Sequence, residues 1–185
     1  MIGQVKLCII ADAMKAAITL TLSVLITATA LAQKEDARLQ PSCGERRIHL
    51  DVNVTKAGTD TNVEAGKSQV YVVEVAEPAF LFDPRKITIR IGLDGEWVGA
   101  VKGTHTYIAV AVTPGEHHVC AERQSVQASL EREAGFISFS AEPDKRYYFR
   151  ARFTEHSGVN LERINEDEGR FIISSSRRTR STPKQ

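Results

Sequence analysis

Residues 91–120 read IGLDGEWVGAVKGTHTYIAVAVTPGEHHVC and contain two turn signals, Asp94-Gly95 and Pro114-Gly115. Between these turns, residues 105–112 alternate strongly apolar and less apolar side chains. Successive side chains of an extended chain point to opposite faces, so a period of two bounded by glycine and proline indicates a β-strand. Asp94-Gly95 predicts a type I′ hairpin, because both central positions of that turn need positive φ. The segment therefore predicts a stack of short antiparallel strands.

The same alternation recurs along most of the chain. It is found at residues 46–54, 69–75, 86–92, 116–123, 136–141 and 146–153. Roughly eight to ten short strands at spacings of about ten residues predict an all-β fold, a two-layer antiparallel β-sandwich with Ig-like or related topology. We expect this domain to cover residues 46–174.

The C-terminal residues give weaker signals. Residues 159–164 and 170–174 predict two short strands around an acidic turn, with one helical turn as the alternative. Residues 175–185, SSRRTRSTPKQ, contain no apolar side chain that could be buried. This last segment is therefore predicted to be a disordered basic tail.

The N-terminal residues have the composition of a secretory signal. Residues 16–32 carry no charge, Lys15 precedes them, and residues 30–32 read ALA, the small-x-small form that signal peptidase accepts. The sequence predicts a signal peptide over residues 1–32, cleaved after Ala32. A periplasmic or secreted location follows from it.

Three further expectations concern the same end of the chain. Met14 is an alternative start of the signal, and residues 33–45 are predicted to be a flexible lead-in. The alternative to cleavage is an uncleaved N-terminal helix that tethers the protein to a membrane. Residue 33 is a glutamine, so membrane association through a lipid-modified cysteine at the cleavage point is not expected.

The charge balance argues against a nucleic-acid partner. The chain carries 24 basic and 23 acidic side chains, and removal of residues 1–32 takes away two lysines and one aspartate. The remaining chain is formally neutral, and four of its positive charges lie in the predicted tail. Binding of nucleic acid needs a basic face that neutralises phosphates, so we expect none here.

Two cysteines remain after cleavage, Cys43 and Cys120. An even pair in an exported chain predicts a disulfide, because the compartment beyond the membrane is oxidising. Closing such a long loop would stabilise the fold by about 4 kcal/mol in the chain-entropy model. The alternative is two free buried thiols. Neither cysteine belongs to a C-x-x-C pair of the kind that redox or zinc chemistry uses.

A series of short motifs runs through the central part of the chain: Asp94-Gly95, Val98-Gly99, Gly103, Tyr107, the PGEH sequence at 114–117 and the RYYF sequence at 146–149. With these motifs the chain resembles the bacterial family called domain of unknown function 2846 and, more loosely, PEGA-type surface modules. The resemblance covers residues 67–174 and implies an exported or envelope-associated β-sandwich without an established activity. Many members look like lipoproteins, but this sequence lacks the lipid-bearing cysteine.

Residues 117–120, HHVC, are the nearest approach to a metal-binding cluster. On a strand, His118 and Cys120 share one face and His117 lies on the other, so a tetrahedral site would need two more ligands from elsewhere. A surface or turn-closing histidine is the preferred interpretation. The sequence also lacks a G-x-S-x-G elbow and nucleotide-binding glycine motifs. We therefore predict no catalytic residues, no metal and no cofactor.

Trp97 is the only tryptophan and lies two residues after the Asp94-Gly95 turn. It could stack on a sugar and so form a carbohydrate-binding or peptidoglycan-binding site. The alternative, which we favour, is a ring packed over the hairpin or in the core.

A second candidate binding surface lies on the strand at 146–153. Tyr148, Arg150 and Arg152 share the face predicted to point to water, where they could meet an anionic polymer. The alternative is an ordinary solvent-exposed face.

These observations predict a non-enzymatic, exported β-sandwich that acts as a structural or interaction module of the cell envelope. Its expected partner is an envelope protein or glycan. The second interpretation is a carbohydrate-binding or peptidoglycan-binding module built on Trp97, and the third is a hydrolase.

Overall fold

A computed structural model describes residues 43–45, 47–55, 64–75, 83, 86–124, 134–154 and 158–184. The described residues belong to one compact unit, residues 41–185. The predicted signal peptide, its cleavage site and most of the lead-in lie outside the described residues. Within the described ranges, no helix is long and apolar enough to cross a membrane.

The described chain contains ten strands and one helix, α1 (Glu166–Ser174). The strands are β1 (Leu50–Val54), β2 (Ser68–Glu74), β3 (Thr88–Leu93), β4 (Glu96–Lys102), β5 (Thr106–Val112), β6 (Gly115–Arg123), β7 (Ala134–Ala141), β8 (Arg146–Thr154), β9 (Gly158–Ile164) and β10 (Arg177–Pro183).

The strands form two sheets, which confirms the predicted β-sandwich. The larger sheet has six strands in the order β1-β10-β5-β2-β8-β9, and the smaller has four in the order β4-β3-β6-β7. Most neighbours are antiparallel, but β2 pairs with β8 and β10 pairs with β5 in parallel. These two parallel pairs add a feature that the alternation of side chains could not predict, because it does not depend on strand direction.

The two predicted turns have different roles. Asp94 and Gly95 have φ of 51° and 90°, as a type I′ turn requires, and they join β3 to β4 as a hairpin. The turn at Pro114-Gly115 joins β5 of the larger sheet to β6 of the smaller one. The first turn therefore extends one sheet, and the second carries the chain across the core.

The main core lies between the sheets and follows the predicted alternation. On β8, Tyr147, Phe149, Ala151 and Phe153 all belong to it, and Phe149 is fully buried. A second apolar cluster, which contains Tyr71, Tyr107 and Tyr148, lies on the other face of the larger sheet, with Ile172 and Ile173 of α1 packed against it. One face of the larger sheet is thus covered by the smaller sheet and the other is partly covered by α1.

Glu74 is an acidic side chain at the end of β2 that is fully buried. It shares a strand face with Val70 and Val72 of the main core, and its sheet neighbours Thr106 and Ala151 are also fully buried. Neither carboxyl oxygen forms a hydrogen bond among the described residues. Burial raises the pKa of Glu74 to about 9, so this carboxyl is protonated at neutral pH.

The predicted strand at 170–174 is wrong, because this segment belongs to helix α1. The side chain of Asn165 accepts a hydrogen bond from the backbone N–H of Glu168, which caps the start of the helix, and three acidic residues occupy the first turn. The predicted strand at 159–164 is present as β9.

The prediction of a disordered tail at 175–185 is also wrong, because β10 occupies most of that segment. β10 pairs with β1 along the whole length of β1. Its side chains also bind the free edge of β4: Thr179 donates to the carbonyl of Ala100 at 2.7 Å, and Ser181 accepts from the N–H of Ala100 at 2.9 Å. Polar side chains thus hold a strand that no apolar pattern could predict.

Candidate functional site at Trp97

A cleft of about 400 Å³ opens between the β1–β10 ribbon and the β3–β4 hairpin. Trp97 and Glu96 line it from β4, Glu45 lines it from the segment before β1, and Ser181 and Pro183 line it from β10. The indole ring is half-buried. The only tryptophan of the chain therefore forms part of the wall of an open cleft.

Three contacts fix the indole ring of Trp97. Its Nε1–H donates to the backbone carbonyl of Glu45 at 2.7 Å. The guanidinium of Arg90 lies over the ring, 4.2 Å from its centroid. Gly44 packs so closely that a Cβ there would lie 2.9 Å from the pyrrole part of the ring, and its φ of 129° also favours glycine. The ring thus packs against Arg90 of β3 and against the segment before β1, and it also lies in the cleft wall.

Arg90 is a buried cation beneath this site, with an exposed fraction of 4%. Its Nη1 donates to the carbonyl of Ile48 at 2.5 Å, and its Nη2 lies 3.3 Å from Glu122. Burial lowers the pKa of Arg90, and the attraction of Glu122 opposes this shift. Arg90 therefore joins the segment before β1 to the outer face of the smaller sheet.

Cys43 and Cys120 are joined, with their Cα atoms 5.5 Å apart, which bears out the predicted pairing. Cys43 lies against Gly92 of β3, where a Cβ would collide with the Cys43 carbonyl group. The pair anchors the segment that carries Gly44 and Glu45 to β6. A bonded pair of this kind is compatible with an oxidising compartment.

The prediction of a flexible lead-in up to residue 45 is therefore wrong for its last three residues. Cys43 and Gly44 are buried, and Glu45 accepts the hydrogen bond from Trp97. The composition of this segment favours mobility, but the Cys43–Cys120 pair and the contact between Gly44 and the Trp97 ring hold it in place.

The predicted surface of Tyr148, Arg150 and Arg152 is not an open face. Tyr148 is 4% exposed, its ring stacks on Tyr71 with centroids 5.0 Å apart, and Gly169 of α1 packs directly on it. The prediction that this face points to water is thus wrong for Tyr148, because α1 covers it.

The two arginines of that face are already paired with carboxylates. Arg150 bonds to Glu162 at 2.6 Å and to Glu168 at 2.7 Å, and Arg152 lies 3.5 Å from Glu162. The hydrogen bond from Arg150 lowers the pKa of Glu162, which keeps this carboxylate charged. The arginines therefore lock β8 to β9 and α1 instead of offering free charge to a polymer.

His117 closes a turn. Its Nδ1 lies 2.6 Å from a carboxylate oxygen of Asp94, and its Nε2 lies 2.7 Å from the carbonyl of Thr113. Burial alone would lower the pKa of His117, but the hydrogen bonds to Asp94 and Thr113 outweigh it and raise the pKa. Both ring nitrogens are used, as expected for a turn-closing histidine.

His118 lies on the opposite face of β6 and pairs with Ser138 at 2.8 Å. Among the described residues, no three histidine, cysteine, aspartate or glutamate side chains are grouped as metal ligands. Cys120 is bonded to Cys43, so its sulfur is not a free ligand.

Sequence reasoning singled out Trp97 but missed the residues that hold it. Gly44 and Glu45 fell in a segment predicted to be flexible, and Arg90 alternates with isoleucines in the way that a solvent-facing residue would. Ser181 fell in the predicted tail. The one available signal was Cys43, since a cysteine pair implies that its flanking residues are held against the domain.

Comparison of this chain with protein families, with curated proteins and with solved structures finds no match. The resemblance to domain of unknown function 2846 therefore stays a prediction.

Proposed function

We propose that this protein is an exported, non-catalytic interaction module of the bacterial cell envelope, and that the Trp97 cleft binds a saccharide of the envelope glycan. The observation that carries the proposal is the position of a fixed, half-buried indole ring in the wall of a cleft of about 400 Å³. Ligand sites of small molecules fall in the same size range.

The chemistry of the cleft wall suits a sugar. A pyranose ring has an apolar C–H face that packs on an aromatic ring, and hydroxyl groups around its edge. Carboxylates of Glu45 and Glu96 accept hydrogen bonds from hydroxyl groups, and the hydroxyl of Ser181 can both accept and donate. The wall thus combines an aromatic side chain with polar groups.

The site is also held in place before any ligand arrives. Trp97 is fixed by Glu45, Gly44 and Arg90, and the segment with Glu45 is anchored through Cys43. Rigid sites lose less conformational entropy on binding, so a small ligand can bind with useful affinity.

The binding test uses intrinsic fluorescence, because Trp97 is the only tryptophan and its emission reports this site alone. We expect titration with oligosaccharides of hexosamines and with peptidoglycan fragments to change the emission in a saturable way. Calorimetry of the Trp97→Ala variant should show loss of binding. Phe136→Ala removes an exposed aromatic from β7 and is the matched control, which should bind as the wild type does. The absence of saturable binding to any saccharide would refute the proposal.

Export has its own test, independent of the ligand. Mass spectrometry of the natural protein should find a chain that begins at residue 33 and contains no thiol open to alkylation. A chain that retains residues 1–32 with two reactive thiols would contradict export.

A protein partner is the second candidate, favoured by Phe171 on α1. Its side chain is 77% exposed although Ile172 and Ile173 beside it pack on the sheet. Crosslinking of the wild type in an envelope extract should then repeatedly capture one partner protein. Crosslinking of the Phe171→Ser variant should fail to capture that partner. Loss with Trp97→Ala but not with Phe171→Ser would instead favour the cleft.

A further inference from the structure

Most of the positive charges of β10 lie on one face of the β1–β10 ribbon. Arg177, which alternates with the opposite set, pairs with Thr106 of β5 beyond the end of β1. Leu50 pairs with Pro183 and Val52 with Ser181, and this face of the ribbon turns toward the cleft and β4. The alternate residues Arg178, Arg180 and Lys184 of the same segment therefore point to the other face. None of the described residues that line the cleft is a lysine or an arginine.

The charged side chains that the structure describes in the cleft wall are negative. Glu45 and Glu96 are both exposed, and neither forms an ion pair with a described cation. Among the described residues, Arg90 is the cation that contacts the ring; it is buried beneath the ring and is bonded to Glu122 and the Ile48 carbonyl. Arg90 thus supports the ring without offering charge to a ligand in the cleft.

We propose that the Trp97 cleft selects a saccharide that carries a free, protonated amino group, an oligomer of de-N-acetylated hexosamine, over N-acetylated or carboxylated sugars. This inference rests on the proposed saccharide function and adds the class of sugar. An ammonium group forms charge-assisted hydrogen bonds with carboxylates and is attracted to the face of an indole ring. A carboxylated sugar would be repelled by the same two glutamates.

The proposal predicts an order of affinities. At about pH 6, a glucosamine tetramer should bind about tenfold more tightly than an N-acetylglucosamine tetramer, because its ammonium groups form charge-assisted hydrogen bonds. A galacturonic acid tetramer should bind more weakly than either. Added salt should weaken the binding of the amine form strongly and that of the N-acetylated form little, because salt screens charge pairs near the surface.

Trp97 fluorescence titrations of the full mature chain test this order, with isosteric variants as probes. Glu96→Gln and Glu45→Gln should each lower the affinity for the amine form by a larger factor than the affinity for the N-acetylated tetramer, and so remove most of the preference for the amine form. Glu142→Gln, which changes an exposed carboxylate that does not line this cleft, is the matched control and should keep the preference.

Three outcomes would overturn the inference. Equal or tighter binding of the N-acetylated tetramer would refute the selectivity while leaving the saccharide function intact. If tetralysine bound as tightly as the glucosamine tetramer, the cleft would select positive charge alone and not an amino sugar. Failure of every saccharide to bind would refute the proposed function and the selectivity together.

Discussion

The indole N–H of Trp97 donates a 2.7 Å hydrogen bond to the backbone carbonyl of Glu45, so the candidate binding residue also holds the segment before β1. Binding and stability are therefore coupled at this position. Trp97→Phe removes the donor and weakens the contact with Arg90, and we expect the free energy of unfolding to fall by about 1–2 kcal/mol. Urea denaturation, monitored by circular dichroism, measures this free energy of unfolding.

Phe136→Leu is the control for that measurement, since Phe136 is an exposed aromatic residue of β7 and its replacement should cost less than about 0.5 kcal/mol. A Trp97→Phe variant as stable as the wild type would mean that the Glu45 contact contributes nothing to the fold.

The Cys43–Cys120 pair should stabilise both the fold and the cleft. Replacing both cysteines with serine should lower the free energy of unfolding by up to about 4 kcal/mol, because the unfolded chain regains the freedom of a long loop. The emission of Trp97 should change as well, because Gly44 and Glu45 lose their anchor. Reduction of the wild type should reproduce both the loss of stability and the change in emission. If a reductant altered the double-serine variant equally, the two effects would not come from the disulfide.

Gly169 should resist replacement although it lies inside a helix. Alanine is the better helix former by about 1 kcal/mol. A Cβ at this position, however, would collide with the Tyr148 ring beneath it, so we expect Gly169→Ala to lower the free energy of unfolding by about 2 kcal/mol. Phe171→Ala on the exposed face of the same helix is the control, and thermal or urea denaturation should find it no less stable than the wild type.

His117 should make stability depend on pH. Its pKa in the folded state is raised above the ordinary 6.5, so the folded protein holds the proton more tightly than the unfolded chain does. The resulting stabilisation is fully present below about pH 6.5 and is lost as the pH rises through the folded pKa. NMR titration of the His117 ring should give a midpoint above 6.5. A His117 midpoint below 6.5 would contradict this account.

Glu74 should add a second loss of stability in the alkaline direction. The unfolded carboxyl ionises from its ordinary pKa of 4.5, while the buried one keeps its proton up to about 9. Between these values the folded state binds a proton that the unfolded state releases, so stability falls as pH rises. Glu74→Gln does not titrate, so it should match the wild type at about pH 4 and exceed its stability by about 4–5 kcal/mol at pH 8.

The exposed Glu96→Gln variant is the control for this titration and should keep the pH dependence of the wild type. A Glu74→Gln variant with an unchanged slope between the two pH values would show that the Glu74 carboxyl is ionised in the folded protein.

The features that the sequence could predict are those that depend on apolar periodicity and turn chemistry. The alternation on β8 and the positive φ at Asp94 and Gly95 need no distant partner to be recognised. β10 could not be predicted, because it is held by hydroxyl groups of Thr179 and Ser181 that meet Ala100 of a strand far away in the sequence. Tyr148 looked solvent-facing because the nine-residue helix that covers it has too short a pattern to be recognised.

The candidate site was predictable only in its most unusual residue. A single tryptophan beside a tight turn draws attention by itself, whereas Arg90 looks like any outward residue of a strand. Its burial arises from a segment more than forty residues earlier, which covers it from outside the sheet. Burial by a segment that is distant in the sequence cannot be recognised from the residues on either side of Arg90.

The pairing of the first strand with the last also sets the order in which this molecule can assemble. During synthesis, β1 leaves the ribosome long before β10, so β1 cannot find its partner until nearly the whole domain has emerged. The hairpins of neighbouring strands can form early, whereas the wall contributed by Ser181 is completed last. Nascent chains thus carry no finished cleft, and the capacity to bind arises only once the last strand is in place.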